Sequence, residues 1–151
     1  MVKKNSKAQG SVAVTRRVIY GDTDAMGIVY YGNYLRFFEM GRNEYLRGHG
    51  VTAAELIERG IHMPVVEVLA KYHTPARYDD EIVVTTRLEK VERVRVSFTF
   101  RLTRAADGEL LVVGSTVHAC INVATGRAVR MPRDFRELLV AALSPAEDNG
   151  D

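Results

Sequence analysis

A single cysteine, Cys120, stands among the 151 residues of this chain, so no internal disulfide can form and a cysteine-rich metal cage is excluded. Long apolar runs are missing too: the longest, Leu138 to Leu143, has six residues against the roughly 20 that span a bilayer. No transmembrane segment is expected. The basic first ten residues lead into Val12-Ala13-Val14 and straight on to Thr15-Arg16-Arg17, an apolar stretch too short for a secretory signal. The cytoplasm is the expected compartment. Charge of one sign is lacking as well, because 21 Lys and Arg against 19 Asp and Glu leave +2, which is not a nucleic-acid-binding balance.

Several catalytic signatures are absent. There is no G-x-S-x-G elbow, no G-x-x-x-x-G-K-S/T phosphate loop, no G-x-G-x-x-G and no H-E-x-x-H, so serine hydrolase, P-loop NTPase, dinucleotide enzyme and zincin all lack their marks. Asp22-Thr23-Asp24-Ala25-Met26-Gly27 begins like a calcium loop, but Met26 sits where a third oxygen ligand belongs and Asn33 where the closing glutamate should be. No metal is expected. His49, His62, His73 and His118 show no ligand spacing, and nothing marks Cys120 as an activated thiol, so it reads as an inert core residue.

What is present is globular: 46% hydrophobic and 26% charged residues match an ordinary folded domain. One domain is expected over residues 11–144, between a disordered basic tail at 1–10 and a disordered acidic tail at 145–151. Val12 to Tyr20 alternates like a strand. The glycines and aspartates of Gly21 to Gly32 make a loop, and Asn33 is placed to cap a helix whose Phe37, Phe38, Gly41, Tyr45 and Leu46 recur at helical spacing. Gly41 inside that helix costs about 1 kcal/mol against alanine, which calls for something packed closely against it. Thr52 and Glu55 match a capping box with Gly60 as the stop. Four strands follow, at Pro64 to Thr74, Glu81 to Val91, Arg93 to Arg104 and Glu109 to Val123, with Asp107-Gly108 as a hairpin turn. Pro132 opens a last amphipathic helix carrying Phe135, Leu138 and Leu139. The order is that of an α+β domain with a mostly antiparallel sheet, whose uncovered face and edges oligomerisation would protect.

Two features carry possible chemistry. From Arg87 to Arg104 six positive residues accompany two negative ones, which suits either a solvated strand face or a small anionic partner. The other is a carboxylate in a loop followed by glycines and a helix N-terminus, whose free N–H groups can receive an anionic oxygen. Such a pair is what attack on an ester or thioester carbonyl needs, although an aspartate there also serves as a plain turn or cap residue.

The stretch Tyr20-Gly-Asp-Thr-Asp-Ala-Met-Gly-Ile-Val-Tyr-Tyr-Gly-Asn-Tyr34, continuing through Leu35-Arg-Phe-Phe-Glu39 and Arg42 to Leu46, resembles the signature of the 4-hydroxybenzoyl-CoA thioesterase family and its relatives associated with the Tol-Pal system. Tyr72-His-Thr-Pro-Ala-Arg-Tyr-Asp-Asp80 is similar to a second family segment. The resemblance covers Val12 to Leu143. It implies a hotdog fold, in which a five-stranded sheet wraps a long central helix and copies assemble as a dimer or a homotetramer. It assigns Asp24 as general base or nucleophile, Asp22 as a loop former and the backbone N–H of Tyr31 as the group polarising the thioester oxygen. Tyr31 stands where relatives carry His. Gly27, Ile28 and Val29 fall in the substrate-binding segment, and Arg93 and Arg95 near the strand that grips CoA phosphates in some members.

The implied activity is hydrolysis of an acyl-CoA to a free acid and CoA, without metal or other cofactor, in a homo-oligomer that binds no nucleic acid. The alternative is a non-catalytic acyl-CoA-binding or regulatory module. A hotdog hydratase would need a D-x-N-P-x-H type of motif, which is missing.

Overall fold

The computed structural model describes residues 3–8 and 10–143. Its strands are β1 (Lys3–Ala8), β2 (Ser11–Arg17), β3 (Ile61–His62), β4 (Val65–Tyr72), β5 (Glu81–Val91), β6 (Arg95–Arg104), β7 (Leu110–Ala119) and β8 (Ile121–Asn122). Its helices are α1 (Tyr34–Gly48), α2 (Ala53–Glu58) and α3 (Arg133–Ala142). The main sheet has six strands in the order β1-β2-β5-β6-β7-β4, every neighbour antiparallel. β3 and β8 form a separate short ladder.

The five expected strands are present, joined by a sixth. Part of the stretch read as a disordered tail at residues 1–10 is strand β1, with Lys3 opposite Thr15 and Ala8 opposite Ser11. Its Lys-rich sequence shows no apolar period, but backbone pairing needs none, and β1 covers what would otherwise be the open edge of β2. The expected tail at 145–151 lies outside the described residues. Two other boundaries move. The first strand stops at Arg17 because Tyr20–Asp22 turns as a single 3-10 turn. The last strand divides at Cys120, whose amide leaves the sheet to donate to the Val94 carbonyl at 2.8 Å.

Helix α1 packs on β2, β5 and β6, burying Tyr34, Phe37, Phe38, Gly41, Tyr45 and Leu46. This is the stripe that its 3.6-residue period sets, extended by one residue at the start. The close neighbour demanded by Gly41 is β5: a Cβ there would meet Val84 Cγ1 at 2.7 Å, and Thr86 Oγ1 closer still. Phe38 stacks on Phe100 with centroids 4.6 Å apart. Each buried aromatic of this kind adds roughly 1.5–3 kcal/mol. Strand β5 alternates strictly, with Ile82, Val84, Thr86 and Leu88 inward. The short helix α2 is capped as expected, Thr52 Oγ1 accepting from the Glu55 amide at 3.1 Å. Helix α3 lies against β5 and buries Phe135 and Leu139. At the far edge, β4 pairs with β7 on one side only and leaves Val65, Val66, Val68 and Leu69 exposed.

Candidate active site

The loop after β2 is built around Asp22. This residue is 4% exposed, and its Oδ2 accepts from the Ile19 amide at 2.9 Å while Oδ1 meets Arg16 Nη2 at 3.4 Å. Its carbonyl receives both the Tyr30 amide and Asn33 Nδ2 at 2.9 Å. With every oxygen of Asp22 committed, it serves as the anchor of the loop. Asp24 is different. Its side chain is half-buried, with Oδ1 accepting from the Met26 amide at 2.8 Å. The Asp24 amide donates to Ile28 O at 2.9 Å, Gly27 N–H returns to Asp24 O at 3.0 Å, and Gly27 takes φ +77°, a left-handed value that glycine reaches without strain. Thr23 and Val29 close this tight turn as an antiparallel bridge.

The chain then runs past Ile28 and Val29, which pair with Arg77 and Ala76, into a 3-10 turn at Tyr31–Asn33 and on into α1. The expected cap is corrected here: Asn33 has helical backbone angles and no side-chain cap bond, and its side chain is turned to donate from Nδ2 to Asp22 O. The helical run therefore begins one turn earlier. The first amides of a helix have no acceptor within it, and here those are Tyr31 and Gly32. Asp24 and the Tyr31 amide thus stand on the two limbs of one bridged loop.

Beside that loop is a cavity of about 230 Å³ lined by Ile28, Val29, Tyr31, Tyr34, Tyr72 and the His73–Pro75 turn. The Tyr72 hydroxyl donates to Tyr31 O at 3.1 Å, and the Tyr34 hydroxyl accepts from the Ala76 amide at 3.0 Å. Burial holds the Tyr34 phenol above its usual range. The Tyr30 phenol is raised too, first by its hydrogen bond to Tyr31 and last by the nearby Asp24 charge. The tie between Tyr72 and Tyr31 has no signal in the sequence, since 41 positions separate them.

The structure separates the predicted arginines from this loop. β5 begins at Glu81, opposite Arg17, and runs to Val91; at roughly 3.3 Å per residue its far end lies about 30 Å away. Arg93 sits in the turn beyond that end and lines a cavity of about 460 Å³ with Arg130, Met131, Arg133 and Arg136. Arg95 begins β6 opposite Ala119 and is not part of that lining, so Arg93 is grouped with Arg130, Arg133 and Arg136 rather than with Arg95. Arg133 and Arg136, three apart on α3, share one face of that helix, and this spacing is the signal that points to the cluster.

The remaining nucleophile candidates are inert. Burial pushes the Cys120 thiol up to about 11. His118 is fully buried, and desolvation lowers it to about 4. Its Nδ1 faces Met63 O at 3.0 Å, so it carries the proton there, and Nε2 receives the Thr116 hydroxyl at 2.8 Å. Among the described residues no helix is long and apolar enough to cross a membrane.

Comparison with known proteins agrees with this architecture. Residues 18–139 match the family model described as the thioesterase-like superfamily. The acyl-CoA thioesterase YbgC of Haemophilus influenzae is 37% identical over 122 residues, which span 80% of this chain and 88% of that one. The crystal structure of the DHNA-CoA thioesterase from Staphylococcus aureus superposes with a TM-score of 0.83 at 30% identity, covering 87% of this chain and 89% of the other. An aspartate-to-asparagine variant of 4-hydroxybenzoyl-CoA thioesterase, complexed with 4-hydroxybenzoyl-CoA, gives 0.78 at 26% identity over 86% of this chain and 99% of its own. With its antiparallel sheet curled on one long helix, this chain belongs to the thioesterase-like superfamily and has the hotdog fold.

Proposed function

We propose that the protein hydrolyses acyl-CoA thioesters at the Asp24 loop. One observation carries the reading: the Thr23–Val29 bridge and the Tyr30 amide's bond to Asp22 O lay the limb that carries the half-buried Asp24 beside the limb that leads into the Tyr31 and Gly32 amides. As general base, Asp24 takes a proton from water while the water oxygen adds to the thioester carbon. The carbonyl oxygen, becoming negative, is received by the Tyr31 N–H. The tetrahedral intermediate then expels the CoA sulfur, which leaves as thiol with the proton Asp24 returns, and the acid is released. As nucleophile, Asp24 would instead form an anhydride that water opens; both routes give the same products. Gly27, Ile28 and Val29 line the approach. Water is the only co-reactant, and no metal or other cofactor enters the scheme.

The CoA phosphates are assigned to Arg93, joined by Arg130, Arg133 and Arg136, since guanidinium forks match phosphate oxygens. Arg95 is left as a lesser contributor. Because that cluster and Asp24 lie at opposite ends of one sheet, the assignment has a second copy bring its arginine end to the first copy's loop, as a two-fold pairing does. The exposed apolar residues of β4 offer the surface for a homo-oligomer, a dimer or a dimer of dimers. A cytoplasmic location accords with a buried free thiol. The relative caught with its thioester substrate after an Asp-to-Asn change supports an aspartate as the reacting group. Thiol release from a panel of acyl-CoAs tests the reading; binding without release would make the protein an acyl-CoA-binding module instead.

A further inference from the structure

Three cavities lie beside α1, two of them between it and β4. The first is that of Tyr31 and Tyr72. The second, about 330 Å³, is lined by Leu35, Phe38, Val65 and Val68 with the charged Arg36, Glu39 and Arg42 of α1 and Thr116 of β7. The third, about 290 Å³, adds Leu46, Leu56 and Met63 and again includes Arg42. Between the proposed oxyanion amide and Arg42 the lining of the first two cavities is chiefly aliphatic and aromatic, with the exposed Arg36 and Glu39 at the rim of the second. Leu35, Phe38 and Arg42 follow one another at helical spacing, so they share one face of α1.

Arg42 is an unusual wall residue. Its side chain is 15% exposed, and its carboxylate neighbour Glu39 lies 3.9 Å away and is itself 61% exposed. Its other close polar neighbour is His118 Nε2 at 3.5 Å, an uncharged acceptor that already receives the Thr116 hydroxyl. A guanidinium carries five N–H donors, and withdrawing it from water is costly without a close anion. This one is withdrawn, and the surface it presents opens into two adjoining apolar cavities.

We propose that Arg42 reads the far end of the acyl group and that the preferred substrates are acyl-CoAs whose chain ends in a carboxylate. The inference rests on the thioesterase reading above and names the acyl class that reading leaves open. The guanidinium can meet a carboxylate with two parallel hydrogen bonds, while the apolar lining holds the chain between. Tyr31 and Arg42 are eleven positions apart, so at about 1.5 Å per residue, with the side chain leaning back toward the helix start, the span is on the order of 10–15 Å. One chain length should therefore fit best.

The test compares kcat/KM for ω-carboxyacyl-CoAs of graded length with that for plain alkyl-CoAs of equal length. Wild-type protein should favour the carboxylate-tipped series by about tenfold or more at its best length, the worth of one charge-assisted contact. Arg42→Met should erase that ratio chiefly through KM, and Arg42→Lys should keep part of it. A wild-type ratio near one at every length overturns the proposal without any variant having to fold, as does an Arg42→Met protein that keeps the ratio. If no acyl-CoA releases thiol, it is the hydrolase reading that fails. Equilibrium binding of the same two series then decides: tighter binding of the carboxylate-tipped series supports Arg42 as its reader, and equal binding overturns it.

Discussion

The Tyr72 hydroxyl donates a hydrogen bond to the Tyr31 carbonyl at 3.1 Å, tying the end of β4 to the first residue of the helical run. The bond fixes the orientation of the peptide planes around the amide assigned to the thioester oxygen. Tyr72→Phe should therefore lower kcat by about three- to tenfold, the loss of one positioning bond, with KM changed less. The 49% exposure of Tyr72 predicts almost no shift of Tm. Steady-state thiol release and a melting curve on the same preparation check both halves.

The two aspartates of the loop should respond in opposite ways. Asp24→Asn is expected to reduce kcat by about 10²–10⁴-fold, the range for removing a general base, at nearly unchanged Tm. Asp22→Asn breaks the carboxylate's pairing with the Ile19 amide and Arg16, and should cost about 1–3 kcal/mol of stability. Denaturant unfolding set beside turnover separates them; a turnover in Asp24→Asn equal to wild type would end the hydrolase assignment.

Arg93→Ala should raise KM for acyl-CoA by about three- to tenfold and leave kcat close to wild type, because the side chain is assigned to phosphate and not to the reacting bond. The penalty should shrink when the substrate lacks the 3′-phosphate and at high salt. Arg95→Ala, outside the arginine cavity, should do much less.

Stability should fall on acidification through His118. Its folded pKa of about 4 lies below the unfolded value near 6.5. The unfolded chain therefore binds the extra proton first, and stability is lost as pH drops from about 6.5 to 4, by roughly 3 kcal/mol in all. A His118→Gln variant, less stable at neutral pH, should show a flatter profile between pH 7 and 5 in urea unfolding. Parallel profiles would refute the assignment.

Much of this molecule could be read from spacing. The buried stripe of α1, the alternation of β5 and β6 and the Thr52 cap follow from local rules, and the crowding at Gly41 was foreseen from its helical cost. That Asp22 builds the loop and leaves Asp24 the freer carboxylate was legible only through the family signature, since spacing alone leaves either as a turn residue. Strand β1 escaped notice because a Lys-rich segment can pair its backbone without any apolar period, and the break at Cys120 because its cause is the Val94 carbonyl in the β5–β6 turn.

The order of residues alone thus determined which positions face inward, where turns of positive φ fall and which acid follows the first strand, for these depend on neighbours within a few positions. Tertiary structure alone decided that Asn33 serves Asp22 and not the helix, that Arg93 joins Arg130, Arg133 and Arg136, and that Arg42 stands between two apolar cavities. Those outcomes depend on how the sheet curls over α1, which brings together residues that no local period relates.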